Sequence, residues 1–112
     1  AALDIPIIIH RVDGQELTGK VRDISAGGVG IRFTIDAASL LTQGERIPEC
    51  IVYLPQNKEI RTAIEIRFTR VLPDKRTCLV GARFVDISKQ EQDEIVKIVT
   101  TIDRDTRKKL PT

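Results

Sequence analysis

Apolar and polar residues alternate along most of this chain. Ile60, Thr62, Ile64, Ile66 and Phe68 fall on one parity, and Arg61, Glu65, Arg67 and Thr69 on the other. That period of two predicts a long half-buried strand with the first set, Phe68 included, facing inward. The run reaches Leu72, where LPDKRT reads as a turn centred on Pro73 and Asp74. Alternation resumes with Cys78, Val80, Ala82 and Phe84 on one face and Arg83 on the other, so the two runs predict a hairpin. In the first half, a β-branched run over 5–12 stops at Asp13-Gly14, a turn pair. Residues 16–24 predict a strand with Leu17 and Val21 inward, and 28–35 another, on Val29, Ile31, Phe33 and Ile35. Residues 36–49 are less regular and predict one helical turn around 37–41, stopped before Gly44. CIVYL at 50–54 predicts a short strand ending at Pro55.

The period changes at the end. Ser88-Lys89-Gln90-Glu91 has the form of a capping box, with the Ser hydroxyl taking the N3 amide and the Glu reaching back to the cap. Ile95, Ile98, Val99 and Ile102 then recur as one face of an amphipathic helix. Lys108 and Lys109 suit the C-terminal end of its dipole, and Pro111 closes it. About six short strands followed by one helix predict a mainly β fold. The expected form is a six-stranded antiparallel β-barrel, split-barrel-like, with a C-terminal α-helix over one end. Closure removes the exposed edges an open sheet would carry.

The 112 residues suit one domain, 1–112. The chain contains no Met, even at position 1; it is read as a piece of a longer chain, with a preceding domain as an expected neighbour. Eighteen basic and 16 acidic side chains leave a formal charge of +2. That balance speaks against DNA or RNA as a partner, because a nucleic-acid surface must neutralise several phosphates. Eleven of the basic residues are Arg, which suits bidentate contact with phosphates and purine edges. Cys50 and Cys78 are too few for a disulfide framework, which points to a reducing compartment. The IPIII run at 5–9 is too short for a membrane span or signal peptide. The expectation is a cytoplasmic domain without membrane insertion.

Catalytic chemistry is hard to assemble from these residues. His10 is the sole histidine, and no Cys or Asp stands at ligand spacing from it. Ser25 lacks both a nucleophile-elbow frame and a neighbouring base. GGVG at 27–30 is not a dinucleotide fingerprint and leads into a strand. Ser39, Asp103 and Asp105 read as loop and helix-surface residues. The chain reads as a binding module and not an enzyme, with no metal and no cofactor.

One joint stands out. Asp23, Ser25, Gly27 and Gly28 cluster between two strands, in VRDISAGGVGIRF. A β-turn explains such residue types on its own, since Asp and Ser bond local amides and Gly allows positive φ. The same types also suit a nucleotide pocket. A carboxylate can accept from guanine N1–H and its amino group, a hydroxyl can bond a phosphate or base, and glycines let backbone approach a bulky ligand.

DISAGG at 23–28 resembles the D/N-x-S-x-x-G motif of PilZ domains, with Asp23, Ser25 and Gly28 on the motif positions. VGIRF after it, GARF at 81–84, and a terminal helix ending IDRDTRKK are similar to the family, especially to the C-terminal domain of flagellar-brake proteins. The resemblance implies a bacterial, cytoplasmic receptor for the second messenger cyclic di-GMP. It would pass the signal to partners in flagellar motility, pili or exopolysaccharide synthesis. The family also has an R-x-x-x-R motif just before the first strand; none of the eleven arginines here is followed four residues later by another. Either the motif precedes Ala1, the preferred reading because Asp23, Ser25 and Gly28 are intact, or this is a degenerate member acting as a protein–protein interaction module. The expected ligand-binding set is Asp23, Ser25, Gly27, Gly28, Arg22 and Arg83, with Arg32 and Arg11 weaker.

Overall fold

The computed structural model describes residues 5–55 and 57–109, the side chains of 101–109 excepted. Strands β1 (Ile5–His10), β2 (Glu16–Ile24) and β3 (Gly28–Thr34) precede a short helix α1 (Ile35–Ala38). Strands β4 (Arg46–Leu54), β5 (Lys58–Val71) and β6 (Thr77–Val85) follow, then helix α2 (Lys89–Lys109). All neighbouring strands are antiparallel, and the order β1-β2-β3-β6-β5-β4 closes when β4 pairs with β1 through Ile7↔Val52 and Ile9↔Cys50. The expected barrel and terminal helix are both present.

Alternation builds the interior. Ile7, Ile9, Ile31, Phe33, Ile47, Ile64, Ile66 and Val80 are fully buried. Isoleucine and valine dominate because β-branched side chains pack well on a pleated surface. Thr62 also faces inward, and its hydroxyl donates to the Val85 carbonyl at 3.0 Å, which removes the cost of burying it. Both cysteines are free and buried. Burial pushes the Cys50 thiol up to about 12.

The Ser88 hydroxyl caps α2, accepting from the Glu91 amide at 3.1 Å and donating to the Glu91 carboxylate at 3.1 Å. The glutamate thus meets the hydroxyl and not the cap amide. Ile95 is fully buried against the barrel, with Ile98 and Val99 partly so. Ile102, Asp103, Asp105, Lys108 and Lys109 lie outside the described side chains, and Pro111 outside the described residues.

The differences from expectation are local. β4 starts at Arg46, four residues earlier than residue 50, because its register with β5 shifts between Ile47 and Cys50, beside Pro48, which has no amide hydrogen for the ladder. Ile35 opens α1 instead of ending β3, because Thr34 caps the helix by accepting from the Ala37 amide. The largest change concerns Phe68. The β5–β6 register shifts between Ile66 and Phe68, a bulge that turns Arg67 and Phe68 both outward, leaving Phe68 45% exposed. A matching shift in β2 between Val21 and Asp23 turns Arg22 and Asp23 both outward.

Candidate functional site

The two bulges face each other across the outer wall formed by β2, β3, β6 and β5. Register links Asp23 to Gly30, Gly30 to Gly81, and Gly81 to Phe68. One rung therefore carries a carboxylate, two bare backbones and an aromatic ring. A Cβ on Gly30 would stand 2.7 Å from Asp23 Oδ1, and a Cβ on Gly81 would stand 2.6 Å from Phe68 Cζ. The glycines are what let the acid and the ring lean inward over the floor. Three strand spacings of roughly 4.8 Å separate the ends of this rung, or about 14 Å.

Over it lies an open depression of about 240 Å³, which Asp23, Ser25 and Gly28 line with Gly30, Gly81 and Phe68. The Asp23 carboxylate is exposed and, among the described residues, accepts no hydrogen bond and forms no ion pair. Ser25 is exposed too, and its hydroxyl oxygen accepts only a long 3.4 Å bond from the Gly27 amide, which leaves the O–H free to donate. Neither group is covered by packed side chains.

The joint itself is held by backbone. The Ser25 amide donates to the Gly28 carbonyl at 2.9 Å and the Phe84 amide to the Gly27 carbonyl at 2.9 Å. Gln92 of α2 donates from Nε2 to the Ala26 carbonyl at 3.3 Å, so the helix touches the joint directly. The two glycines differ. A Cβ on Gly28 would stand 2.5 Å from the Ala82 carbonyl oxygen, so β6 itself requires glycine there. At Gly27 a Cβ meets nothing within 4 Å.

The arginines divide as well. Arg83 lies opposite Gly28 in register and faces outward, but Glu65 holds it through Nε at 3.1 Å and Nη2 at 3.3 Å. This fork holds the Glu65 carboxyl below its ordinary value, helped by the charge of Arg67, and raises Arg83. Arg22 is exposed at the β2 bulge and lines a neighbouring depression instead, of about 300 Å³, together with Arg32, Asp74 and Thr77. Arg11 is elsewhere, paired with Glu45 at 2.8 Å. The structure thus brings Asp23, Ser25 and Gly28 together, sets Arg22 next door, leaves Gly27 at the rim, and commits Arg83 to Glu65.

Sequence reasoning missed Gly30, Gly81 and Phe68 as parts of this wall. For β2 a signal existed: two consecutive polar residues, Arg22 and Asp23, interrupt the period between Val21 and Ile24. For β5 none did, since Phe68 fits the inward parity.

The PilZ domain family matches residues 2–101. The chain belongs to the PilZ domain family. Among curated proteins, this PilZ domain is 24% identical over 106 residues to a flagellar brake protein, YcgR, of Thioalkalivibrio sulfidiphilus, covering 95% of this chain and 42% of that protein. It is 26% identical over 115 residues to YcgR of Nitrosomonas eutropha, covering 96% of this chain and 42% of that one. The PilZ chain therefore spans less than half the length of these relatives. Among solved structures it shares its fold with Escherichia coli YcgR in complex with c-di-GMP, at TM-score 0.79 and 19% identity, over 97% of this chain and 46% of that chain. Klebsiella MrkH in its apo state superimposes at TM-score 0.82 with 17% identity, over 96% of this chain and 48% of that one.

Proposed function

We propose that this PilZ domain is a receptor module that binds cyclic di-GMP on the outer wall of β2, β3, β6 and β5, and passes that state to motility machinery. The observation that carries the reading is the unpartnered Asp23 carboxylate beside a glycine floor, on the family's own motif. A guanine edge offers two donors, N1–H and the amino group, to one carboxylate, and such charge-assisted hydrogen bonds are among the stronger ones. Gly30 and Gly81 let a flat base approach the sheet, and Phe68 offers an apolar face at the far end of the rung. The free Ser25 O–H suits a phosphate or base oxygen. The co-crystallised ligand of Escherichia coli YcgR, c-di-GMP, supports the choice of nucleotide, and the flagellar brake relatives support the choice of output. Binding is the proposed activity.

The output route starts at the joint. Gln92 on α2 bonds the Ala26 carbonyl, and Lys58 pairs with Glu94 on the same helix at 3.2 Å. A ligand that rearranges residues 25–28 therefore acts on a helix that a partner can read.

The test is calorimetric titration of cyclic di-GMP into this chain and, where its gene encodes residues before Ala1, into a form extended by them. Saturable binding that Asp23→Ala and Ser25→Ala each weaken by about tenfold or more is expected, the scale of one lost charge-assisted hydrogen bond. Heat-free titrations would sink the reading and favour the interaction module.

A further inference from the structure

The depression beside the motif wall carries two arginines and one acid, and no ion pair within 4 Å joins them. Arg22 from β2 and Arg32 from β3 both line it, both are exposed, and neither has an ion-pair partner within 4 Å among the described residues. Arg70 and Arg76 are likewise without an ion pair among the described residues, but of these unpaired arginines Arg22 and Arg32 are the two that line one depression. Arg11, Arg46, Arg61, Arg67 and Arg83 all sit within 4 Å of a carboxylate.

The acid is Asp74, whose carboxylate is turned to its own loop; the loop's hydrogen bonds hold it below its ordinary value, and the charge of Arg32 adds a smaller part without a direct contact. Its Oδ1 accepts from the Arg76 amide, the Thr77 amide and the Thr77 hydroxyl, each at 3.0 Å, and its Oδ2 from the Thr77 hydroxyl at 2.9 Å. The turn that locks Asp74 away also fixes the wall the two guanidinium groups face, with Thr77 beside them. Leu72 and Pro73 complete an apolar edge.

Position decides what kind of anion fits. Arg22 precedes Asp23 in the chain. Arg32 stands opposite Leu79 in register, and Leu79 lines the Asp23 depression. The two hollows therefore share a wall, one rung apart, or about 7 Å for two residues along a strand. A cyclic dinucleotide joins its two nucleosides through phosphodiesters between their riboses, so a base on the Asp23 rung leaves a phosphodiester within reach of the next one. Two guanidinium groups on adjacent strands match such a diester in charge and in planar donor geometry.

We propose that Arg22 and Arg32 form an anion subsite for the phosphodiester of the bound nucleotide. This rests on the function proposed above and deepens it. The subsite supplies from the barrel's outer wall the positive charge for which no R-x-x-x-R pair exists in these 112 residues. Arg83, held by Glu65, is not part of it.

The experiment follows arginine Nε–Hε NMR signals of this chain during separate titrations with cyclic di-GMP and sodium tripolyphosphate. Both probes should move Arg22 and Arg32 most and leave Arg46 and Arg61 in place. Arg22→Ala and Arg32→Ala should each weaken cyclic di-GMP about tenfold, and the double variant should flatten the salt dependence of binding. Asp23→Ala should weaken the nucleotide while leaving tripolyphosphate binding unchanged. Equal shifts across all surface arginines, or a double variant that binds nucleotide like the parent, would overturn the subsite. If cyclic di-GMP does not bind at all, the function proposed above fails, and the tripolyphosphate arm alone decides the subsite: saturable shifts confined to Arg22 and Arg32 uphold an anion site, and uniform shifts reject it.

Discussion

The two sides of this barrel use the same charged residues in opposite ways. Around β4 and its neighbours, arginines and carboxylates are matched. Arg61 bridges Glu49 at 2.9 Å and Glu59 at 3.2 Å, Arg46 reaches Asp86 at 3.0 Å, and Arg11 pairs with Glu45. Hydrogen bonds that Arg61 donates to Glu59 and Glu49 raise it above its ordinary value. On the β2–β3 side, Asp23, Arg22 and Arg32 are all exposed and none forms an ion pair within 4 Å among the described residues. Exposed ion pairs contribute only about 0–1 kcal/mol each. Leaving charges unmatched thus costs the fold little, and it keeps them available to a ligand. The lesson is that exposure alone does not mark the wall; unmatched charge over a bare backbone does.

Several changes would break or sharpen this contrast. The largest effect is expected at Gly28. Its substitution by Ala drives a Cβ into the Ala82 carbonyl oxygen, and neither strand can yield without disturbing the ladder. Urea unfolding should show a loss of about 2 kcal/mol or more, in the range of an overpacked interior. Gly81→Ala meets a ring edge that can swing aside, so its stability loss should be smaller while nucleotide affinity drops as Phe68 is displaced.

A middle-sized effect is expected from moving a residue between the two classes. Glu65→Gln frees Arg83 from its fork on the motif wall, and should strengthen cyclic di-GMP binding a few-fold without altering the barrel. Acid has the same effect on the pair. The folded Glu65 carboxyl lies below its ordinary value of 4.5, so the pair's stabilisation is present above pH 4.5 and fades as pH falls through the depressed value. A pH series of thermal melts should show this component in the parent and not in Glu65→Gln. The smallest effect belongs to the matched side: Arg61→Ala should cost at most about 1 kcal/mol in unfolding and leave nucleotide affinity unchanged.

Much of this was legible in the residues. Period two gave the strands and Ser88 to Glu91 the helix start, because burial of one face imposes alternation and unpaired helix amides demand a cap. Asp23, Ser25 and Gly28 were readable as a motif, and the structure gathers them around one hollow. What could not be read was the β5 bulge, whereas Arg22 and Asp23 left a signal for the one in β2. The single-residue shift of register in β5 leaves the hydrophobic pattern intact, yet it moves Phe68 from the interior to the outer wall. The division of the arginines was equally hidden, since Arg83 and Arg32 look alike until the pairing of β5 with β6 brings Glu65 alongside one of them. Gly30 and Gly81 were in view as letters of VGIRF and GARF, but their role depends on being opposite each other across β3 and β6.

The most direct measurement is amide and aromatic NMR of this chain as cyclic di-GMP is added. The account predicts that the Gly30 and Gly81 amides and the Phe68 ring shift together, saturating with one affinity, while Ile51 and Glu59 on the matched side stay still. Saturable shifts centred on β1 and β4, with Gly30 and Gly81 unmoved, would contradict it.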